Sequence, residues 1–302
     1  MPNGRGESLK SGWGPDGRTG AVSFTFDNLG EASDLEFGKW PQDQPIGSHM
    51  SVTQVVPELL KRLTGFRATF FVEAWNATVY PDTLRAMADA GHEVGLHGLR
   101  HEIWATLEAQ RQVEVLERSL DAMATAGLRP IGFRPPGGYG SDNLAELMSR
   151  CGFSHFSCVG DGTRVVLDGV VSMPFSWPFV DGNQLEGRIG ARFNIKPGPD
   201  GQFGSSLLKQ VFINEIDRAA HLGLHAVFDF HPWIIGQTRE RMEALFSVVA
   251  HAQSRPDIWV ASCSEVAGWM LSTPVADIGN AASSEFAIGD RHENCDLSAR
   301  KR

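Results

Sequence analysis

Between Ala21 and Leu271 short apolar runs with strand character alternate with stretches of helical periodicity, and no break in composition interrupts the series. Such alternation confines the chain to an α/β architecture with a largely parallel sheet or barrel in one domain. Strands are expected at Ala21–Asp27, Ala68–Val72, Glu93–Leu96, Ile131–Phe133, Phe153–Ser157, Val170–Met173, His225–Phe230 and Ile258–Ala261. Helices are expected to begin at Pro57 and Pro81, since proline suits the first helical turn. Another, from about Glu108 to Ala126, places Val113, Leu116, Leu120 and Met123 on one face. Later helices fit Asp142–Arg150, Ser206–Leu222, Arg239–Gln253 and Ser264–Leu271. The segment Leu29–Ser51 lacks periodicity and reads as a long loop, a feature that is often functional in a compact domain.

The chain divides into an N-terminal tail (1–20), the α/β domain (21–272) and a polar C-terminal tail (273–302) that packing against the body or a neighbouring copy would order. Its 302 residues, 42% hydrophobic and 21% charged, suffice for a substantial core. A formal net charge of -9 excludes nucleic acid and an anionic membrane as main partners and favours a small or neutral substrate; a homo-oligomer is left open. Met1 to Gly20 is polar and glycine-rich, with no apolar run of signal-peptide or membrane-helix length, so a cytoplasmic location is expected. Cys151, Cys158, Cys263 and Cys295 form no CxxC pattern and are expected to be buried free thiols.

Polar groups recur where strands end, and that rim is where ligands bind in parallel α/β architectures. AVSFTFD delivers Asp27 and Asn28 to it, although an Asp-Asn pair alone is an ordinary turn former. HGLRH places His97 and His101 at i and i+4, where a helical turn would let both imidazoles share a metal ion. Chance also produces histidines at that spacing. FRPPGGYG sets Arg134 on a stiff turn, and AVFDFHPWIIG ends a strand in Asp229 and His231. Taken singly, Arg134 reads as a surface ion pair and His231 as a satisfied core histidine.

In order, the FDN, HxxxH, RPPGG and late strand-end histidine resemble the motifs of the polysaccharide deacetylases, also called carbohydrate esterase family 4, with the NodB-homology fold. ATFFVEAW at Ala68–Trp75 and AGHEVGLHGLRHE at Ala90–Glu102 fit especially closely. MPFSWPFVDG and HPWIIG look nearer to the peptidoglycan deacetylase, cyclic-imidase and allantoinase-like branch. The resemblance implies a distorted barrel, of the (β/α)7 type, with outer helices. It implies a hydrolase of C–N amide bonds that removes an acetyl group from an N-acetylated sugar with a divalent metal, zinc or else cobalt or manganese.

By the same resemblance Asp27 is the general base, His231 the general acid, Arg134 the group that orients the base, and His97 and His101 are metal ligands. Where the family has a second aspartate this chain has Asn28, whose amide oxygen brings no charge, so a weakly held metal is expected. Asp161, Asp181 and Asp229 compete to support His231. Backbone N–H groups near Gly137 are expected to hold an oxyanion, and Tyr139, Trp177 and Trp233 to stack on a sugar ring or else pack in the core. Two alternatives stand beside this reading: hydrolysis of a small cyclic imide or ureide, with or without metal, and an inactive carbohydrate-binding relative.

Overall fold

β1 (Gly20–Phe26) is buried along its whole length, and its residues alternate between two environments. Val22, Phe24 and Phe26 face outward into the main hydrophobic core, while Ser23 and Thr25 face inward, where they bond His225 and Asp229. This alternation of an aromatic outer row with a polar inner row is the period of a strand buried on both faces. The computed structural model describes residues 12–160 and 164–273.

The remaining strands are β2 (Thr69–Val72), β3 (Glu93–Leu96), β4 (Gly132–Phe133), β5 (His155–Phe156), β6 (Val165–Leu167), β7 (Val170–Ser172), β8 (His225–Phe230) and β9 (Ile258–Val260). Among the described residues they form one curled sheet in the order β6-β7-β5-β4-β3-β2-β1-β8, with β9 also on β1. Every pairing is parallel except β6 with β7. The result is the expected α/β fold in a single domain, with the sheet curled into a half-barrel where a distorted barrel was expected. The β6–β7 hairpin is an addition to it, and Val165 to Leu167 lie at its outer edge, where little is buried to mark a strand in the sequence.

Outside the sheet, Phe24, Phe26, Phe70, Phe228 and Phe230 meet Phe212 of the helix Ser205–Leu222. Ring centroids 4.8 Å apart for Phe212 and Phe228, and 4.9 Å for Phe26 and Phe70, make this a continuous aromatic layer. Truncating one such buried ring costs about 3–5 kcal/mol. Pro81 opens the helix Pro81–Asp89 as expected, but Pro57 does not begin its helix, because a π-helical turn at Ser51–Val55 leads directly into Val56–Arg62; Ser262 with Glu265 closes a capping box on Cys263–Ser272.

Three further expectations change in detail. Trp13, placed in the tail, is buried against Trp269 and donates its indole N–H to Gly223 O. The stretch 29–51 contains a short helix, Ala32–Glu36, and is pinned by fully buried Glu31, whose Oε1 accepts from Gly47, Ser48 and His49 N–H and from the Tyr80 hydroxyl. Cys263 is a buried free thiol as expected, but Cys151 and Cys158 are only half-buried; Cys295 and the C-terminal tail beyond Thr273 lie outside the described residues.

Candidate active site

The parallel ladder continues one residue beyond several strands. Asp27 N–H donates to Phe230 O (3.0 Å), His97 N–H to Val72 O (2.8 Å), Arg134 N–H to Leu96 O (2.9 Å) and Ser157 N–H to Phe133 O (2.9 Å). The first residue past β1, β2, β3, β4, β5 and β8 is therefore Asp27, Glu73, His97, Arg134, Ser157 and His231, and these six side chains ring the carboxyl end of the sheet. Four of them are readable as strand-end polar residues. Glu73 and Ser157 escape a motif search, yet both occupy the same position relative to their strands and are fully buried. Setting the strand ends side by side is the signal that would have found them.

Asp27 is buried among cations and imidazoles. His231 Nε2 lies 3.1 Å from Asp27 Oδ1, while Arg134 Nη1 is 3.5 Å and His97 Nε2 3.7 Å from Oδ2. Burial pushes the Asp27 carboxyl up, but His231, His97, Arg134 and His101 together outweigh it and hold the group below the usual aspartate value. Although His231 is so close, its ring is not aligned for a hydrogen bond to Asp27 Oδ1, which is left without a donor. Burial pulls His231 down, but Asp27 and Asp181 overcome this and push it up to about 10. The two touching groups are thus poised oppositely: the aspartate ionised, the histidine protonated.

Asp181 is the residue that supports His231. It opens the short helix Asp181–Leu185, and its carboxylate accepts from His231 Nδ1 at 2.7 Å and from His231 N–H at 2.8 Å. Asp229, two residues before His231, points instead to Arg134 and Thr25. Asp161 lies outside the described residues. Arg134, buried and clasped between the rings of Phe71 and Phe175, also donates from Nη1 to Thr25 and from Nη2 to Ser157, while its Nε is buried without a partner among the described residues. It is no surface ion pair.

His97 and His101 do come together, with ring centroids 4.8 Å apart, but not through a helical turn. Residues 97–103 form an irregular loop with left-handed backbone at Gly98 (φ 72°) and His101 (φ 76°), and Glu102 closes it by accepting from Leu99 and Arg100 N–H. His97 Nδ1–H donates to Arg134 O at 2.8 Å, which leaves Nε2 as the nitrogen with a free lone pair. Burial lowers His97 to about 3, so the ring is neutral. Neutral imidazoles oriented by a carbonyl suit a zinc-class cation, and these residues fit one. Asn28 adopts φ 56°, and its side-chain oxygen is buried without a hydrogen-bond partner.

The aromatic residues sit at the mouth. Tyr139 and Trp233 are exposed, and Trp177 stacks on Phe193 at 4.0 Å between centroids while directing its N–H to the Tyr139 hydroxyl at 3.4 Å. Gly138 N–H closes the RPPGG turn onto Pro135 O. Gly137, at φ 84°, has an N–H without an acceptor among the described residues.

Comparison with known proteins agrees with this geometry. The family model described as polysaccharide deacetylase matches residues 16–156, which include Asp27, Glu73, His97, His101 and Arg134. The peptidoglycan deacetylase of Helicobacter pylori is 30% identical over 103 residues, covering 33% of this chain and 35% of that protein. The matches to curated relatives span between 22% and 35% of those relatives' lengths. The structure of a putative polysaccharide deacetylase from Mycobacterium smegmatis superposes with a TM-score of 0.72 at 26% identity, over 84% of this chain and 91% of that one. An allantoinase shares the fold, with a TM-score of 0.64 at 20% identity over 86% and 93% of the two chains. The motifs, the site geometry and these matches agree: residues 16–156 match the polysaccharide deacetylase family.

Proposed function

We propose that this chain hydrolyses an amide C–N bond and removes the acetyl group from an N-acetylated sugar or related carbohydrate. The observation that carries the reading is the pair Asp27 and His231, 3.1 Å apart and held in opposite protonation states. Amide hydrolysis needs a base to take a proton from water and an acid to give one to the departing nitrogen. Asp27 Oδ1, ionised and without a donor, takes the first proton. His231, kept protonated by Asp181, gives the second as the C–N bond breaks and a C–O bond has formed, so acetate and free amine leave. Arg134 fixes both Asp27 and Asp229. The Gly137 N–H, without an acceptor among the described residues, would receive the developing negative oxygen, a contribution worth several kcal/mol in such sites.

A divalent metal, zinc by the preference of its imidazole donors, would be held by His97 and His101 and would supply charge to polarise the carbonyl and acidify water. The carbohydrate substrate is supported by the names of the relatives, which act on peptidoglycan or chitin, and by the aromatic rim. Asn28 belongs to the same set as a neutral oxygen donor. Among the described residues no helix is long and apolar enough to cross a membrane.

The test is acetate release by the zinc-loaded protein from N-acetylated oligosaccharides, run beside ring opening of cyclic imides and ureides. Acetate release supports the deacetylase reading. Ring opening without acetate release replaces it with the cyclic-amide alternative, and neither activity leaves the binding-only alternative.

A further inference from the structure

We propose that Glu73 is a direct metal ligand, completing with His97 and His101 a three-donor site in which it supplies the negative charge. The inference rests on the metal-dependent reading above and adds to it the residue that no motif marked.

Glu73 follows β2 and is fully buried. Its Oε1 lies 3.1 Å from His101 Nδ1, and its Oε2 accepts only long bonds, from Leu29 N–H at 3.2 Å and Asn76 Nδ2 at 3.4 Å. Among the described residues no lysine or arginine pairs with it. A buried carboxylate that serves structure alone looks different in this same chain: Glu31 has its Oε1 covered by three backbone N–H groups and the Tyr80 hydroxyl. Glu73 turns one oxygen toward the His101 imidazole and, among the described residues, has neither a cation nor a set of backbone donors on it.

The donor atoms of Glu73, His97 and His101 lie within 4.8 Å of one another. Donors at about 2.0–2.1 Å from a tetrahedral zinc ion stand about 3.4 Å apart, so the widest pair has to close by up to about 1.4 Å, a side-chain adjustment.

Asn28 is the neutral neighbour of this site. The residue after it, Leu29, donates its N–H to Glu73 Oε2, so position 28 is one residue along the chain from a direct contact of Glu73. The expected shortfall of charge is therefore made good from the next strand, and the metal is held firmly.

The test reads metal, not turnover. The full chain is stripped with chelator, reloaded with zinc, and its affinity measured by competition with a chromophoric chelator; cobalt loading gives a visible spectrum of the coordination sphere. The wild type is expected to hold about one zinc per chain, and Glu73→Gln, matched in shape, to bind it at least tenfold more weakly with altered cobalt bands. Adding Asn28→Asp to Glu73→Gln is expected to recover most of the affinity, and Asn28→Ala alone to weaken it less than Glu73→Gln does. Circular dichroism checks each fold, and Glu73→Met replaces Glu73→Gln if the latter fails to fold. Unchanged zinc affinity or unchanged cobalt bands in the Glu73 variant overturn the proposal, the second because a residue that only positions His101 leaves the ligand set intact. So does a wild type that binds no zinc. Zinc binding through Glu73 without hydrolysis of any amide keeps this inference and removes the deacetylase reading; full hydrolysis in excess chelator does the reverse.

Discussion

Asp181 grips His231 twice, at the ring Nδ1 (2.7 Å) and at the backbone N–H (2.8 Å), although the two residues are fifty positions apart in the chain. That double contact fixes the orientation of the ring and stabilises its charged form. Asp181→Asn keeps the shape and removes the charge, so the His231 proton is held less tightly. Because the wild-type value is raised to about 10, activity that needs this proton is lost only as pH rises through that value. The variant's alkaline limb is expected about a unit or more lower, since one of two main supporting charges is gone. A pH–rate profile checks it; an unmoved limb would detach Asp181 from the acid.

Asp27→Asn and His231→Ala are each expected to lower kcat by about 10²–10⁴-fold with an unchanged circular dichroism spectrum. The two losses are not expected to add in the double variant, because base and acid serve one reaction. Near-normal turnover in either variant removes that residue from the mechanism.

Arg134→Met is a stability experiment. It leaves Asp229 and Asp27 buried without their guanidinium, a change that costs about 3–5 kcal/mol. Burial raises Asp229 against the pull of Arg134, to about 7. A carboxyl whose folded value is raised contributes most at acid pH, and its contribution is lost as pH rises from the unfolded value toward the folded one. Thermal melts of the variant should therefore show a larger deficit at pH 8 than at pH 4. A deficit independent of pH would mean that the cost is lost packing against Phe71 and Phe175.

Tyr139→Ala and Trp233→Ala act at the exposed rim and touch neither Asp27 nor His231 through a hydrogen bond. Each is expected to raise KM severalfold for an oligosaccharide while kcat changes little, as removal of uniform binding does. Equal KM for short and long substrates in wild type and variants would remove the sugar platform.

Most of the site was legible because the sheet delivers it in register. Asp27, His97, Arg134 and His231 each follow an apolar run, and a strand-end reading finds them. Glu73 was hidden inside ATFFVEAW, where a charged residue after a strand looks like an ordinary loop entry, and only the parallel register with β3 shows that it stands beside His97. The helical turn expected at HxxxH failed because Gly98 and His101 take left-handed backbone, a tertiary choice that spacing does not encode. The support for His231 was undecidable among three aspartates because it depends on where the segment around Val180 meets β8, a contact recorded as the Val180–Asp229 bridge.

The most direct measurement is the yield of acetate and free amine from an N-acetylated oligosaccharide, taken in parallel for the zinc-loaded wild type and for Asp27→Asn. The account predicts equal amounts of acetate and amine from the wild type and a rate lower by about 10²-fold or more from the variant. No acetate from the loaded wild type, or the same rate from both proteins, would contradict it.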